Sequence, residues 1–549
     1  MDTHNRLLAV LAAVLLMSGT AGSADQGRIP IPAEEDTRPD IQLPGQPADP
    51  APGSYGYDSR TGVFKHPAMT PATHRSHPFA GSLDYIDQRE YRLNTEVLAY
   101  YPFVVATGHT WQATFDLGGR RYMYHYYSSK YKVYDITDVR DVRLVADRKI
   151  DTANGEHPFG PFVTRWNARL GKLIAVQCYQ VPRYGILENK YTEPDKVQAI
   201  RNLRMLHGFR IFEIAGPTDW RLLSETALDP QQDPQKFPQQ GSGCIDVPTY
   251  FGDRYLFVAG APDDSYSLQE YPSILYSAAQ LAYDISDPAH PKRLGVWSVP
   301  GQRVGEEEAY RRNPRYGNKT SWMGARMAMF IPRPIEAGGK YGYAAMGGLG
   351  FFVVDISDPS NMRTVGHLDM PQSTAGNEGD NIDITKVATT GMVYFSGYPM
   401  NDDCYEPYKE IYQIDVRDPA NPRIVNTLPR PKPPKDAAFT DFCQRRGSFG
   451  PKRTGYFAQQ PGTPSSRYLP YAFYNAGLQM FDVSDPAHPR IAAYFVPKMA
   501  DPEINLAYKD PVHGVYIEWD RNIIWVMSNH GMYAVSSPLL GKPVLELPD

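Results

Sequence analysis

Long apolar runs are almost missing from this sequence. The exception is at the start, where Arg6 precedes apolar residues 7–17 and small residues follow to position 24. Such a run is too short to span a bilayer, which takes about 20 residues, and has the length of a secretory signal core. The expectation is a signal peptide over 1–24, cleaved near Ser23 or Ala24. The mature chain then has no transmembrane segment and is exported, to the periplasm or beyond. No cysteine sits at the cleavage point, which argues against a lipid anchor. An excess of positive charge is also missing. A net charge of −5 with no dense basic stripe argues against a nucleic-acid surface. There is no phosphate-cradling glycine loop, no serine nucleophile elbow and no CxxCH haem motif. Cysteine is limited to four positions, too few for a small disulfide-built scaffold.

Those four fit an oxidising compartment. Cys404 and Cys443 flank one insertion, and a bridge between them would close a loop of about 40 residues. Cys178 lies in the apolar run KLIAVQCYQV and Cys244 in GSGCIDV. These two either bridge or leave Cys178 as a buried thiol.

What is abundant is tyrosine, at 38, with 45 glycines and 50 prolines. Aromatics and turn-formers together suit many short strands joined by tight turns. One phrase recurs. It starts at Lys132 (KVYDITDV), Arg210 (RIFEIAGP), Leu281 (LAYDISDP), Phe352 (FVVDISDP), Tyr412 (YQIDVRDP), Met480 (MFDVSDP) and Met532 (MYAVSSP). In each copy an alternating strand runs into Asp-Pro or an equivalent. Proline fixes φ and removes an N–H, so the strand stops; the aspartate can bond the turn backbone. A further strand follows, and two precede. Copies two and seven carry Glu213 and Ala534 where the others have aspartate. Seven units of four short strands predict an all-β chain, a seven-bladed β-propeller of four-stranded blades.

The phrase DISDPxxPxxVG, repeated over about 106–549, resembles the LVIVD-repeat family of exported β-propellers. The resemblance implies the propeller fold and an exported protein, and no single activity. Ahead of the propeller, residues 25–82 form an irregular Pro-rich N-terminal arm or linker. Residues 83–105 are a lead-in segment expected to pack beneath the first blade or over an edge. Long inserts at 184–204, 229–241, 300–320 and 429–447 have lengths more often functional than ornamental.

Candidate chemistry follows from the fold. Aligning the first strand of each unit places Trp111, Phe162, Asp246, Arg326, Asp383, Arg453 and Val515 in one layer around the channel. Asp246, Arg326, Asp383 and Arg453 then alternate in sign. Buried charges persist when paired, so this layer is either a sealing salt-bridge ring or a ligand site. In the second case Trp111, Arg326 and Arg453 hold a polar or anionic group, with Asp246 and Asp383 as acid–base candidates. His109 and His513 come from blades that adjoin on ring closure, and His157 precedes the first strand of blade two. Three histidines suit a divalent transition metal, Zn, Cu or Fe, with Glu156 as a neighbouring base; alternatively they bond loop backbone separately. Two functions fit. One is a small-molecule site at the channel mouth, with metal-assisted hydrolysis, elimination or oxidation if catalytic. The other is a non-catalytic platform docking an exported protein or surface polymer.

Overall fold

The structure, a computed structural model, describes residues 56–58, 63–65, 89–102, 110–127, 130–149, 157–158, 162–180, 206, 208–228, 244–263, 265–266, 274–275, 279–303, 306, 322–325, 327–347, 349–370, 377–399, 408–440, 442–445, 448–454, 460–498, 512–528 and 531–548. The expected signal peptide lies outside these residues, as does the arm apart from one antiparallel pair, Gly56–Asp58 with Val63–Lys65.

Seven antiparallel sheets follow one another along the chain. Blade one is Thr110–Leu117, Arg120–Tyr127, Lys130–Asp135 and Arg143–Lys149. Blade two is Val163–Asn167, Lys172–Gln180, Gly208–Ile214 and Trp220–Ala227, with His157–Pro158 added beside the second strand. Blade three is Cys244–Tyr250, Tyr255–Gly260, Ala279–Asp284 and Lys292–Trp297. Blade four is Tyr341–Ala345, Phe351–Asp355 and Arg363–Leu368. Its innermost place is taken by residues around Phe330, which bridges Tyr343. Gln280 of blade three supports this irregular stretch, donating to the carbonyl of Met327 and accepting from the amide of Met329, both at 2.9 Å. Blade five is Asn377–Asp383, Met392–Tyr398, Ile411–Asp415 and Arg423–Thr427. Blade six is Arg453–Thr454, Tyr468–Ala472, Leu478–Asp482 and Arg490–Val496. Blade seven begins with Val512–Glu518, Ile523–Ser528 and Gly531–Ser536.

The fourth strand of blade seven does not come from the C-terminus. It is Glu96–Tyr101, paired with Gly531–Ser536. Just before it, Tyr91–Leu93 adds a fifth strand to blade six. The lead-in segment therefore closes the ring. The C-terminal residues instead hook onto blade one. Val139 donates to the carbonyl of Leu545 at 2.8 Å, and Leu547 to that of Thr137 at 3.1 Å.

The apolar core is a series of layers between neighbouring blades. The second strands are buried on both faces, and alternate residues serve the two neighbours. In blade seven Ile523, Trp525 and Met527 pack toward blade one, while Ile524 and Val526 pack toward blade six. This explains why IIWVMS reads as one continuous apolar run. The 7–1 layer carries in addition a buried ion network. Glu518, fully buried, accepts from Arg121 at 2.6 Å, from Arg521 at 3.3 Å and from the Trp525 indole N–H at 2.6 Å. Arg521 donates onward to the carbonyls of Ile136 and Thr137 in blade one and of Val544 and Leu545 in the tail.

The repeated phrase has a uniform structural meaning. The first aspartate of each copy pairs, across the third and fourth strands, with a basic residue. The pairs are Asp135–Arg143, Asp284–Lys292, Asp355–Arg363, Asp415–Arg423 and Asp482–Arg490, and Glu213–Arg221 in copy two. In blade seven this place belongs to Ser536 opposite Glu96, and not to Ala534. The fourth strand always bulges just after the pair, with an apolar extra residue: Val145, Leu223, Leu294, Val365, Val425, Ala492 and Leu98. A bulge increases local twist, which suits blades fanned around an axis. The same aspartate caps the turn: Asp482 accepts from the Ser484 amide at 3.2 Å and its hydroxyl at 2.7 Å. The aspartate before proline does likewise, Asp485 accepting from the Ala487 amide at 3.0 Å.

A single disulfide is described, Cys178–Cys244, joining the second strand of blade two to the first strand of blade three across 66 residues of sequence. Both cysteines are fully buried. In the chain-entropy view a loop of that length stabilises by about 4 kcal/mol. Cys404 lies outside the described residues. Among those residues no helix is long and apolar enough to cross a membrane.

Two expectations follow. Glu518→Ala leaves Arg121 and Arg521 without their buried carboxylate, and urea unfolding should register a loss of about 3–5 kcal/mol; a change within error would show the network to be dispensable. Asp415 and Asp482 are held well below the usual carboxylate range, first by side-chain hydrogen bonds from Arg417 and Arg467. Depressed folded pKa values mean that this stabilisation is present above about pH 4 and lost as pH falls further. Stability measured against pH should therefore drop below that point, less steeply in an Arg417→Ala, Arg467→Ala variant.

Candidate functional site

The two faces of the ring differ in kind. Connections from first to second and from third to fourth strands lie on one face, the turn face, and carry the Asp-Pro turns. Among the described residues the longest of them is 331–340. Connections from second to third strands, and from each blade to the next, lie on the other, the loop face. Of the long inserts of the sequence, 184–204 and 229–241 lie outside the described residues, and the described parts of 300–320 and 429–447 fall on the loop face. So does the point where the first strand of each blade begins, close to the axis. Strand order in an antiparallel blade forces this segregation, and it makes the loop face the place where side chains vary without disturbing the repeat.

Three expected residues begin first strands there. His513 is fully buried, as the extra residue where the strand slips between Val512–Ser528 and Gly514–Met527 pairs. Its ring meets Tyr474 edge-on at 6.3 Å. Tyr474 is itself buried with φ of 48°, a left-handed conformation that costs a bulky residue about 1–2 kcal/mol. Arg453 opens the first strand of blade six, buried and paired with Ala472. Trp111 lies in the first strand of blade one, paired with Tyr126. Both partners stand four residues beyond the one facing the motif aspartate, Tyr468 and Tyr122 respectively. Trp111 and Arg453 are thus level.

Asp383 is not on that level. It pairs with Tyr394, two residues beyond Met392, which faces Asp415. It therefore sits about 7 Å nearer the turn face, at 3.3–3.4 Å per residue. The level of Arg453 is held in blade five by Asn381, opposite Ser396. Asn381 to Asp383 pair in regular register, and the offset comes from the longer turn that follows, where Val387–Thr390 is helical instead of extended; an irregularity between Ile245 and Thr249 surrounds Asp246. Val515 pairs with Val526 and stands one residue lower than Gly514. His157 is paired with Gln180 on the loop face. His109, Glu156 and Arg326 lie outside the described residues. Among the described residues no three His, Cys, Asp or Glu side chains gather as a metal set.

The structure adds residues that the sequence did not single out. Lys452 is fully buried, its ammonium 3.2 Å from the Tyr398 ring centre and 5.9 Å from that of Tyr474. An ammonium over a desolvated aromatic face is attracted by the ring quadrupole. Arg445, also buried, donates to the carbonyls of Asn475 at 2.7 Å and Pro497 at 3.1 Å. The corner between blades five, six and seven thus holds Arg445, Lys452, Arg453 and His513 beneath the loop face. Glu410, which precedes the third strand of blade five on the same face, is pushed up to about 7 by burial. In the sequence it is one charge in YKEIYQ, with nothing to mark it as buried.

A raised folded pKa stabilises below the usual glutamate value and loses that contribution as pH rises through about 7. Glu410→Gln should flatten the stability–pH profile between about 4 and 8, gaining on the parent by about 3 kcal/mol at the alkaline end. Parallel profiles would place Glu410 in water.

The LVIVD repeat family matches this chain at residues 333–369, in blade four, and 467–495, in blade six. No curated protein matches the sequence. Among solved structures, the chain is similar to the Myceliophteria thermophila Cps50 (Swd1) β-propeller domain, with 11% identity, TM-score 0.41, and 80% of this chain and 99% of that one covered. It is similar to the Pseudomonas aeruginosa periplasmic gluconolactonase PpgL, with 12% identity, TM-score 0.42, and 79% and 94% covered. It is also similar to a chain of the COPII outer coat vertex on membranes, with 8% identity, TM-score 0.42, and 80% and 85% covered. With its blade order and its uniform Asp-turn register, the chain is a seven-bladed β-propeller that carries LVIVD repeats in blades four and six.

Proposed function

We propose that this is an exported propeller that binds a small anionic or polar molecule at the loop-face mouth of its channel. The observation that carries the reading is the grouping of Arg445, Lys452, Arg453 and His513 at one corner of that face, interleaved with Tyr398 and Tyr474. Guanidinium and ammonium groups in a low-dielectric setting favour carboxylate or phosphate oxygens. Trp111, level with Arg453 two blades away, is an aromatic candidate, and Arg326 is a further cationic candidate. Asp246 and Asp383 are the acid–base candidates if the bound molecule reacts.

A divalent transition metal, Zn, Cu or Fe, is part of the proposal, with His513, His109 and His157 as its ligands and Glu156 as a neighbouring base. Neutral imidazoles would hold such an ion and leave a position for water. Its support is the place of His513 and of the His157 backbone on the loop face. Export is supported by the N-terminal apolar run and by the buried Cys178–Cys244 bridge, which fits an oxidising compartment.

Calorimetric titration of the mature, untagged protein with a panel of small carboxylates and phosphate esters tests the first part. A binding member is expected, weakened about tenfold or more by Arg453→Ala or Lys452→Ala, since a hydrogen bond to a charged group contributes about 1.5–3 kcal/mol. Elemental analysis of the same sample tests the metal. Binding that ignores both substitutions would move the site elsewhere. A metal-free protein with no small ligand, but with a specific exported partner in a periplasmic pull-down, would replace this reading by the platform.

A further inference from the structure

The layer between blades five and six differs on its axial side from the apolar packing farther out. On blade five, Asn381 faces Ser396 across the first two strands, and Asp383 faces Tyr394 two residues lower. On blade six, Thr454 faces Tyr471. Tyr394 and Tyr471 belong to the apolar layer shared by these two blades, so both rows point into the same seam. All six residues are at most 2% exposed.

Their hydrogen bonding is incomplete. Ser396 and Tyr471 hydroxyls lie 3.3 Å apart. Asp383 accepts from the Thr385 amide at 2.8 Å and its hydroxyl at 2.5 Å, and Lys386 donates to that hydroxyl at 2.7 Å. Among the described residues, neither amide atom of Asn381, nor the hydroxyl of Tyr394 or of Thr454, has a partner. Asn381 lies near the Tyr471 hydroxyl but outside bonding geometry. Orphaned buried polar atoms are rare in folded proteins, and so many in one seam point to something that bonds them. Buried water typically satisfies about three such groups.

We infer that internal water occupies this seam, hydrogen-bonded to Asn381, Tyr394 and Thr454 beside the Asp383 carboxylate. The near-complete burial of these six residues disfavours a larger solute. The groups facing it are mainly neutral donors, two phenols and an amide, with the Lys386 ammonium adjoining, which disfavours a cation. Burial raises the pKa of Tyr394 and Tyr471, so both remain donors. The inference is independent of the ligand site at the mouth.

A crystal structure at a resolution that places ordered water is the direct test. The expected result is density within hydrogen-bonding distance of Asn381, Tyr394 and Thr454. An empty seam with the Asn381 amide turned directly onto a tyrosine hydroxyl would overturn the inference, and so would a larger bound solute. Thermal unfolding gives a second reading. Asn381→Leu should lower Tm, because it strips a partner from the water and from its neighbours. Adding Tyr394→Phe and Thr454→Val to it should restore part of the loss, because no polar atom is then left to satisfy. Equal Tm values for parent, single and triple variants would also overturn it. If the triple variant fails to fold, the density in the parent decides.

Discussion

The fold depends on one buried carboxylate and the strands that bury it. Glu518 is bound by Arg121 of blade one, by Arg521 and by Trp525, and Arg521 carries the contact on to the C-terminal tail. At this point the first and last units of the repeat meet. Charge in such a place stabilises only when every partner is present. Around it, the N-terminal strand Glu96–Tyr101 completes blade seven while the tail pairs along blade one. Both chain ends thus grip the closing joint from opposite sides. A ring closed this way has no open sheet face to shield, and each of its layers is packed on both sides.

From closure follows the division of labour between the faces. Where the phrase carries its aspartates they lie on the turn face, one capping the strand end while facing a basic residue, the other capping the proline turn. These contacts recur around the ring, and the apolar bulge residue beside them recurs too. Little freedom is left on that side. The loop face has no such recurring constraint. Long connections gather there, and with them the buried cations and His513 between blades five and seven.

Within the ring the blades are not interchangeable near the axis. The third and fourth strands keep one register in all seven, whereas first strands slip at Ile245–Thr249, Asn377–Asn381 and Val512–Gly514. Each slip changes which residue reaches a given height. In blade five the helical turn Val387–Thr390 also lengthens the connection to the second strand, so that Asn381, and not Asp383, comes level with Arg453.

The sequence by itself determined the number of units, their four-strand pattern and the turns that punctuate them. Those are local features, written by alternation, proline and aspartate, and repeated so often that chance agreement fails. It also left open the pairing of Cys178 and Cys244, which the neighbouring places of blades two and three resolve into a bridge. Only the tertiary structure decided which strand closes the ring, because Glu96–Tyr101 carries no copy of the phrase and its partner lies at the far end of the chain. Only it decided the heights of Asp383 and Arg453, because the first strand of blade five ends at Asp383 and Val387–Thr390 turns into a short helix instead of continuing the strand. The burial of Lys452 and Tyr474, and the half-burial of Glu410, were equally out of reach, since exposure is a property of what other segments cover and not of the residue itself.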